Sequence, residues 1–229
     1  MAIQPDQKIL EIGPGRGALT RHLVALSNEV AAIELDRDLI AALQFEFPQL
    51  RLVSGDVLRV DLQQFFELGQ WRLVGNLPYN IASQLIIRLL DYLDHISDMH
   101  FMVQREMGER LSAVPGTKAW GRLGILVQLY CDVEYVFEVA PESFLPPPKV
   151  WSQIVRLRPK SQVLPVTDLK EFTRLLSFAF NQRRKTLRNS LKPAAISWQE
   201  VNVNPTQRAD DTSLEEFVML ANYVSERTN

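Results

Sequence analysis

Hydrophobic residues fall into two rhythms along this chain. In the first half, short apolar runs at residues 8–13, 29–34, 51–55, 71–75 and 99–103 have the length of buried strands. Between them apolar residues recur every three or four positions. Leu19, Leu23 and Leu26 mark a helix over 16–27, a second covers 37–47 and stops at Pro48, and a third runs from about 83 to 93. Strand alternating with helix predicts an α/β fold, a mostly parallel sheet with helices on both faces. Residues 135–139 and 150–157 read as two further strands, paired at the sheet edge. Pro, Ser and Gln cluster at 159–165, which reads as a linker. Beyond it only the helical rhythm continues, at 168–180, 184–191 and 213–225, with Thr212 or Ser213 as the last cap ahead of Glu215 and Glu216. The expected organisation is an α/β domain over 1–160 and a small all-helical domain over 165–229.

Composition narrows the class. The 229 residues are 46% hydrophobic and 23% charged, enough for a substantial core. A net charge of −2 excludes a uniformly basic nucleic-acid binder, so any RNA contact has to come from a local patch. The single cysteine, Cys131, lies in an apolar stretch and reads as a buried hydrophobe that cannot form an internal disulfide. His22, His95 and His100 are scattered, and no metal site is expected. There is neither a basic-then-apolar leader nor an apolar run of membrane-spanning length, which points to the cytoplasm and to no membrane partner.

Candidate chemistry begins where the first strand meets its helix, at Glu11-Ile12-Gly13-Pro14-Gly15-Arg16-Gly17. Glycines there let the backbone take positive φ and pass close to a ligand. The spacing Gly-x-Gly-x-Gly departs from the dinucleotide fingerprint Gly-x-Gly-x-x-Gly, which disfavours a nicotinamide or flavin site. Glu34, at the end of the second strand, stands where a carboxylate accepts both hydroxyls of a ribose. Asp56 follows the third strand and can accept from an adenine amine, while the Val57 amide can donate to the ring; alone, Asp56 reads more readily as a turn or helix-cap carboxylate. Together Gly13, Gly15, Glu34, Asp56 and Val57 describe an adenosine pocket.

The fourth strand ends in Asn76-Leu77-Pro78-Tyr79-Asn80. Pro78 stops the ladder because it lacks a donor and fixes φ. An adenine amine is a feeble nucleophile, its lone pair being delocalised into the ring. The Asn76 side-chain oxygen and the Leu77 main-chain carbonyl can accept its two hydrogens, pull the nitrogen towards a tetrahedral form, and aim the lone pair at the methyl of a sulfonium donor. Tyr79 can stack on the base.

Asn76-Leu77-Pro78-Tyr79 resembles the fourth motif of amino-methyltransferases. With Glu11-Ile-Gly-Pro-Gly, Phe101-Met-Val-Gln-Arg-Glu-Met-Gly-Glu-Arg110, Phe144-Leu-Pro-Pro-Pro-Lys-Val150 and Phe180-Asn-Gln-Arg-Arg-Lys-Thr-Leu-Arg-Asn-Ser-Leu191, nearly the whole chain resembles the bacterial KsgA-type ribosomal RNA adenine dimethyltransferases. The last two motifs are the most specific, since generic methyltransferases lack them. The resemblance implies a Rossmann-like methyltransferase sheet and a small helical RNA-binding domain. It also implies S-adenosylmethionine as methyl donor, and dimethylation of two adjacent adenines in the 3′-terminal hairpin loop of small-subunit (16S) ribosomal RNA, late in assembly of the 30S particle. On matching positions, Gly13, Glu34, Asp56 and Asn76 would contact the donor. Asn76, Leu77 and Tyr79 would hold the target base with Phe144 on its opposite face, unless Phe144 is simply a core aromatic. A monomer is expected.

The basic run Arg183, Arg184, Lys185, Arg188 and Lys192 contains no acid, and helical spacing would put Arg184, Lys185 and Arg188 on one face. It reads as a solvated surface or, against the acidic balance of the whole, as a phosphate contact, with Lys149 and Arg105 as weaker members. Two features depart from the family pattern. Arg16 stands where leucine is commoner, and the chain starts almost at its first strand, without the usual basic Gln-Asn-Phe-Leu-type segment. S-adenosylmethionine is therefore expected to bind this chain more weakly than an N-terminally extended version, and equal affinities by calorimetry would refute that. The competing readings are a large-subunit rRNA adenine methylase and a non-catalytic small-subunit assembly factor, with a nicotinamide dehydrogenase remote.

Overall fold

A computed structural model describes residues 1–66, 69–144 and 147–228. In chain order its elements are β1 (Lys8–Ile12), α1 (Thr20–Leu26), β2 (Glu29–Glu34), α2 (Arg37–Glu46), β3 (Arg51–Ser54), α3 (Gln63–Phe66), β4 (Trp71–Asn76), α4 (Ala82–Leu89), β5 (Ile96–Gln104), α5 (Arg105–Leu111), α6 (Arg122–Tyr130), β6 (Cys131–Val139), β7 (Ser152–Pro159), α7 (Leu169–Asn181), α8 (Leu187–Ser190) and α9 (Leu214–Thr228). Among the described residues the strands form one seven-stranded sheet in the order β3-β2-β1-β4-β5-β7-β6. The pairs β1–β2, β1–β4, β2–β3 and β4–β5 are parallel, and β7 runs antiparallel to β5. The α/β class holds, and the two late strands lie side by side at the edge.

Consecutive strand residues point to opposite faces of a sheet. Ile9 with Leu10, and Ala31 with Ala32, are all fully buried, so both faces of the sheet's centre are covered. On one face Ile9, Val30, Ala32 and Val74 pack with Leu23 of α1, Leu43 of α2 and Phe47. Three strands are also pinned by charge. Buried Asp98 of β5 accepts from Arg72 of β4 at 2.8 Å through both oxygens, and from Arg156 of β7 at 2.9 Å. Burial pushes the Asp98 carboxyl up, but the bonds from Arg72 and Arg156 and the neighbouring His100 outweigh it and hold the group below the usual carboxylate range.

The chain divides into two compact units, Met1–Gly108 with Asp132–Pro159, and Glu109–Cys131 with Lys160–Asn229. The stretch 109–131, placed with the sheet by the sequence reading, thus packs with the C-terminal helices. The reason is its apolar content: Ala113, Trp120, Ile125 and Leu129 share a core with Phe172, Leu175, Leu176, Phe217 and Leu220. Trp120 Nε1 donates to the Thr212 carbonyl at 2.9 Å, so even its polar atom is satisfied. Helices α5 and α6 carry no clear amphipathic rhythm in the sequence and are found only in the structure.

Helix ends follow local chemistry. Asp168 caps α7, accepting from the Lys170 and Glu171 amides. Ser213 and Glu216 form the expected reciprocal box ahead of α9: Ser213 Oγ accepts the Glu216 amide and Glu216 accepts the Ser213 amide. The helix expected over 184–191 is shorter. Residues 182–185 form a turn, and only Leu187–Ser190 is helical, because the Leu187 and Arg188 amides bond the Gln207 and Pro205 carbonyls and the Thr186 backbone bridges to Arg208.

Trp120→Ala removes a fully buried ring and leaves the Thr212 carbonyl unpaired. It is expected to destabilise the fold by about 3–5 kcal/mol, read as urea unfolding by far-ultraviolet circular dichroism. A loss below about 1 kcal/mol would show that 109–131 is not integral to the helical core.

Candidate active site

The sheet order reverses between β1 and β4: β2 and β3 lie to one side, β5 and beyond to the other. Chain connections leave the two carboxyl ends in opposite directions, and ligands of open α/β sheets bind in the crevice that results. Ile12 pairs with Gly75 in the register, so the glycine turn after β1 and Asn76 of β4 leave the sheet side by side.

Gly13 and Gly15 adopt φ of +67° and +58°, and a Cβ built on either would meet nothing within 4 Å. Positive φ excludes most side chains at little cost to glycine, and the open space above both is what an approaching ligand needs. The turn is set by Glu34, a carboxylate only 8% exposed. One oxygen accepts the Gly15 amide at 3.0 Å, and the other accepts the Leu35 and Asp36 amides at 2.8 and 3.0 Å. Glu34 therefore joins the end of β2 to the turn after β1.

Asp56 sits after β3, where the Gly55 amide bonds the Glu34 carbonyl at 2.8 Å. One Asp56 oxygen accepts the Leu58 amide at 2.9 Å, which makes it a turn carboxylate, and the other lies 3.6 Å from Arg59 Nε. Val57 is buried, and its carbonyl accepts from Arg88 of α4, which also donates to the Val60 carbonyl at 2.7 Å. Arg88 is a positioning residue that sequence reasoning missed. It lies in no motif, and its partners are main-chain oxygens about 30 residues upstream.

At the end of β4, Asn76 is exposed and Leu77 is buried, its amide donating to the Met102 carbonyl at 3.1 Å. Neither the Asn76 carboxamide nor the Leu77 carbonyl has a hydrogen-bond partner among the described residues. The Pro78 carbonyl accepts the Ile81 and Ala82 amides and starts the turn into α4. Tyr79 is half-buried, with its hydroxyl 3.0 Å from Ser152 Oγ at the head of β7. Asn76, Leu77, Pro78, Tyr79, Phe144 and Pro148 line a single cavity of about 300 Å³. Phe144 thus joins the Asn76–Tyr79 segment although more than sixty positions separate them in the chain. Leu145 and Pro146 of its motif lie outside the described residues.

Beside the turn, Glu11 is buried and accepts the Thr20 hydroxyl at 2.6 Å. Burial pushes its carboxyl up to about 7; the Thr20 bond works against this and the Glu34 charge adds to it. Of the basic residues, Lys149 is exposed in the sheet unit. In the helical unit Arg184 and Lys185 occupy the turn and Arg188 lies on α8, so these three do not share a helical face. Arg183 is held by its own fold: Nε lies 2.9 Å from Asp210, and Nη2 donates to the Lys118 and Trp120 carbonyls. Among the described residues no group of His, Cys, Asp and Glu could hold a metal, and no helix is long and apolar enough to cross a membrane.

A glycine turn, a buried carboxylate and a polar strand end at a switch point fit the sheet of a Rossmann-like methyltransferase. The ribosomal RNA adenine dimethylase family matches residues 1–226, and the chain belongs to that family. It is 48% identical over 228 residues to ribosomal RNA small subunit methyltransferase A of Pseudomonas aeruginosa, covering 96% of this chain and 85% of the relative. The protein of the same name from Hahella chejuensis is 45% identical, with 96% and 83% covered. Among solved structures, a dimethyladenosine transferase from Plasmodium falciparum superposes with a TM-score of 0.82 at 28% identity, over 99% of this chain and 92% of that one. The 23S rRNA methyltransferase ErmE shares the fold, with a TM-score of 0.74 at 23% identity over 97% and 93%.

Glu11 generates a pH prediction. Its ordinary value is 4.5, and the fold raises it to about 7. The folded state therefore keeps the proton to higher pH than the unfolded chain does, so this group lowers stability as pH rises from 4.5 to 7 and changes it no further above. Glu11→Gln keeps an acceptor for Thr20 and removes the charge. It is expected to match the parent near pH 4.5 and to exceed its stability at pH 8 by on the order of 2–3 kcal/mol, measured by urea unfolding at both pH values. An equal or lower stability at pH 8 would contradict the raised value.

Proposed function

We propose that the chain methylates the exocyclic amine of adenine in small-subunit ribosomal RNA, using S-adenosylmethionine, and carries each of two adjacent adenines of the 3′-terminal hairpin loop to the dimethyl state. The observation that carries this reading is the cavity shared by Asn76, Leu77, Tyr79 and Phe144 beside the open Gly13–Gly15 turn. Family membership and relatives named small subunit methyltransferase A support the substrate, and favour it over large-subunit RNA.

The residues present fit the methyl donor. The space over Gly13 and Gly15 admits a ligand against the backbone, and Glu34 offers a fixed carboxylate to a ribose. Asp56 and Val57 would take the adenine end, and Asn76 would border the methionine end. When bound, S-adenosylmethionine supplies an electrophilic methyl on a sulfonium. The Asn76 and Leu77 oxygens, unpartnered among the described residues, accept the two amine hydrogens of the target base and withdraw its lone pair from the ring. Tyr79, anchored through Ser152, and Phe144 enclose the base between aromatic faces. A hairpin loop suits such a pocket, because its bases are already partly unstacked and cost only about a few kcal/mol to extrude. Lys149, Arg184, Lys185 and Arg188 contact RNA phosphates, while Arg183 shapes the turn that presents them. The protein works as a cytoplasmic monomer on the assembling 30S particle, with no metal.

The test is transfer of tritiated methyl to small subunits lacking the modification, followed by mapping of the labelled nucleotides. The intact chain is expected to label two adjacent adenines. Asn76→Ala is expected to lower turnover at least about 100-fold while leaving subunit binding unchanged. Equal turnover in that variant, or label on large subunits alone, would overturn the reading.

A further inference from the structure

The helical unit contains a second cleft, of about 400 Å³, that the methyl-transfer chemistry does not use. It is lined by Phe178, Asn181 and Gln182 from the end of α7, by Asn189 of α8, and by Lys192 and Pro193. Its volume lies in the range of roughly 300–1,000 Å³ typical of small-molecule sites. Three primary amides converge here, and none of their side chains has a hydrogen-bond partner among the described residues. Asn and Gln are the side chains whose paired donor and acceptor match a base edge bidentately. Phe178 is half-buried, and the Arg174 guanidinium lies 5.2 Å from its ring centre, giving an aromatic–cation surface of the kind on which unpaired bases stack.

The segment that forms the cleft is basic in sequence. Between Glu171 and Glu200 the sequence holds Arg174, Arg183, Arg184, Lys185, Arg188 and Lys192 and no acidic residue. Arg174 and Arg183 are paired with Glu171 and Asp210; the other four have no ion-pair partner among the described residues. Such cations suit a backbone phosphate, and an anionic ligand without a base would leave the amides and the ring unused.

We propose that this cleft is a nucleobase subsite: it captures one unpaired nucleotide of the RNA, reading the base edge with Asn181, Gln182 and Asn189 and stacking it on Phe178, while Lys192 meets its phosphate. This rests on the reading of the chain as an RNA methyltransferase and deepens it. The enzyme grips its RNA at a second extruded base, distinct from the one methylated.

The experiment compares binding of the full chain, by fluorescence anisotropy at low salt, to a labelled hexaadenylate and to a labelled abasic hexamer with the same phosphates. The intact chain is expected to prefer hexaadenylate about tenfold. Asn181→Leu with Asn189→Leu is expected to bring the ratio to about one while leaving abasic binding and the thermal melt unchanged. Equal binding of both oligomers by the intact chain, binding of neither, or an undiminished ratio in the variant overturns the subsite. In these binding measurements the intact chain is the one with an unaltered cleft: it and the cleft variant both carry Asn76→Ala and Tyr79→Ala, which keeps the methylating pocket out of the comparison. Parallel methyl transfer by the unmodified chain to small subunits separates the two claims. Activity without base preference removes only the cleft, whereas absent activity removes the functional reading itself.

Discussion

β1 and β4 lie next to each other, yet their connections run to opposite sides of the sheet. The connections from their carboxyl ends leave in opposite directions, so a crevice opens between the two strand ends. The rest of the site depends on this constraint. The glycine turn, Glu34, Asp56 and Asn76 all occupy carboxyl ends of neighbouring strands, and parallel pairing makes those ends coincide. An antiparallel arrangement of the same strands would have scattered the carboxylates over both edges.

The sheet is well braced for this purpose. Asp98 draws Arg72 and Arg156 onto one carboxylate and so ties β4 and β7 through β5, the strand between them. A buried charge is costly unless paired and hydrogen-bonded, and here both conditions are met. At the other end of β4, the Asn76 carboxamide and the Leu77 carbonyl have no hydrogen-bond partner among the described residues. At the braced end the Asp98 carboxylate is held by both arginines, although the buried Trp71 Nε1 and His100 Nδ1 have no hydrogen-bond partner among the described residues; at the other end acceptors stay available where a substrate supplies the donors.

Much of the site was legible along the chain. Gly13, Gly15, Glu34, Asp56 and Asn76 each follow an apolar run short enough to be a strand, and strand order in the sequence already puts them at like ends. Phe144 is different. No periodicity relates it to Asn76; a resemblance alone attached it to that segment in the sequence, and the structure lines one cavity with both. Arg88 left no trace in the sequence, because a long side chain reaching main-chain carbonyls has no pattern. The basic run was visible as composition, but Arg183 proved to be engaged by Asp210 and by carbonyls of the segment containing Trp120.

By itself the sequence determined the α/β alternation, the strand-end chemistry and the capping box at Ser213, because these rest on spacings of a few residues and on local hydrogen bonds. Tertiary structure alone decided that residues 109–131 belong to the helical core, that 182–185 is a turn, and that Phe144 lines the same cavity as Tyr79. Those outcomes depend on which apolar surfaces are left uncovered once the sheet has formed, and on carbonyls offered by distant segments. Such competition between surfaces is settled in three dimensions and leaves no period in the chain.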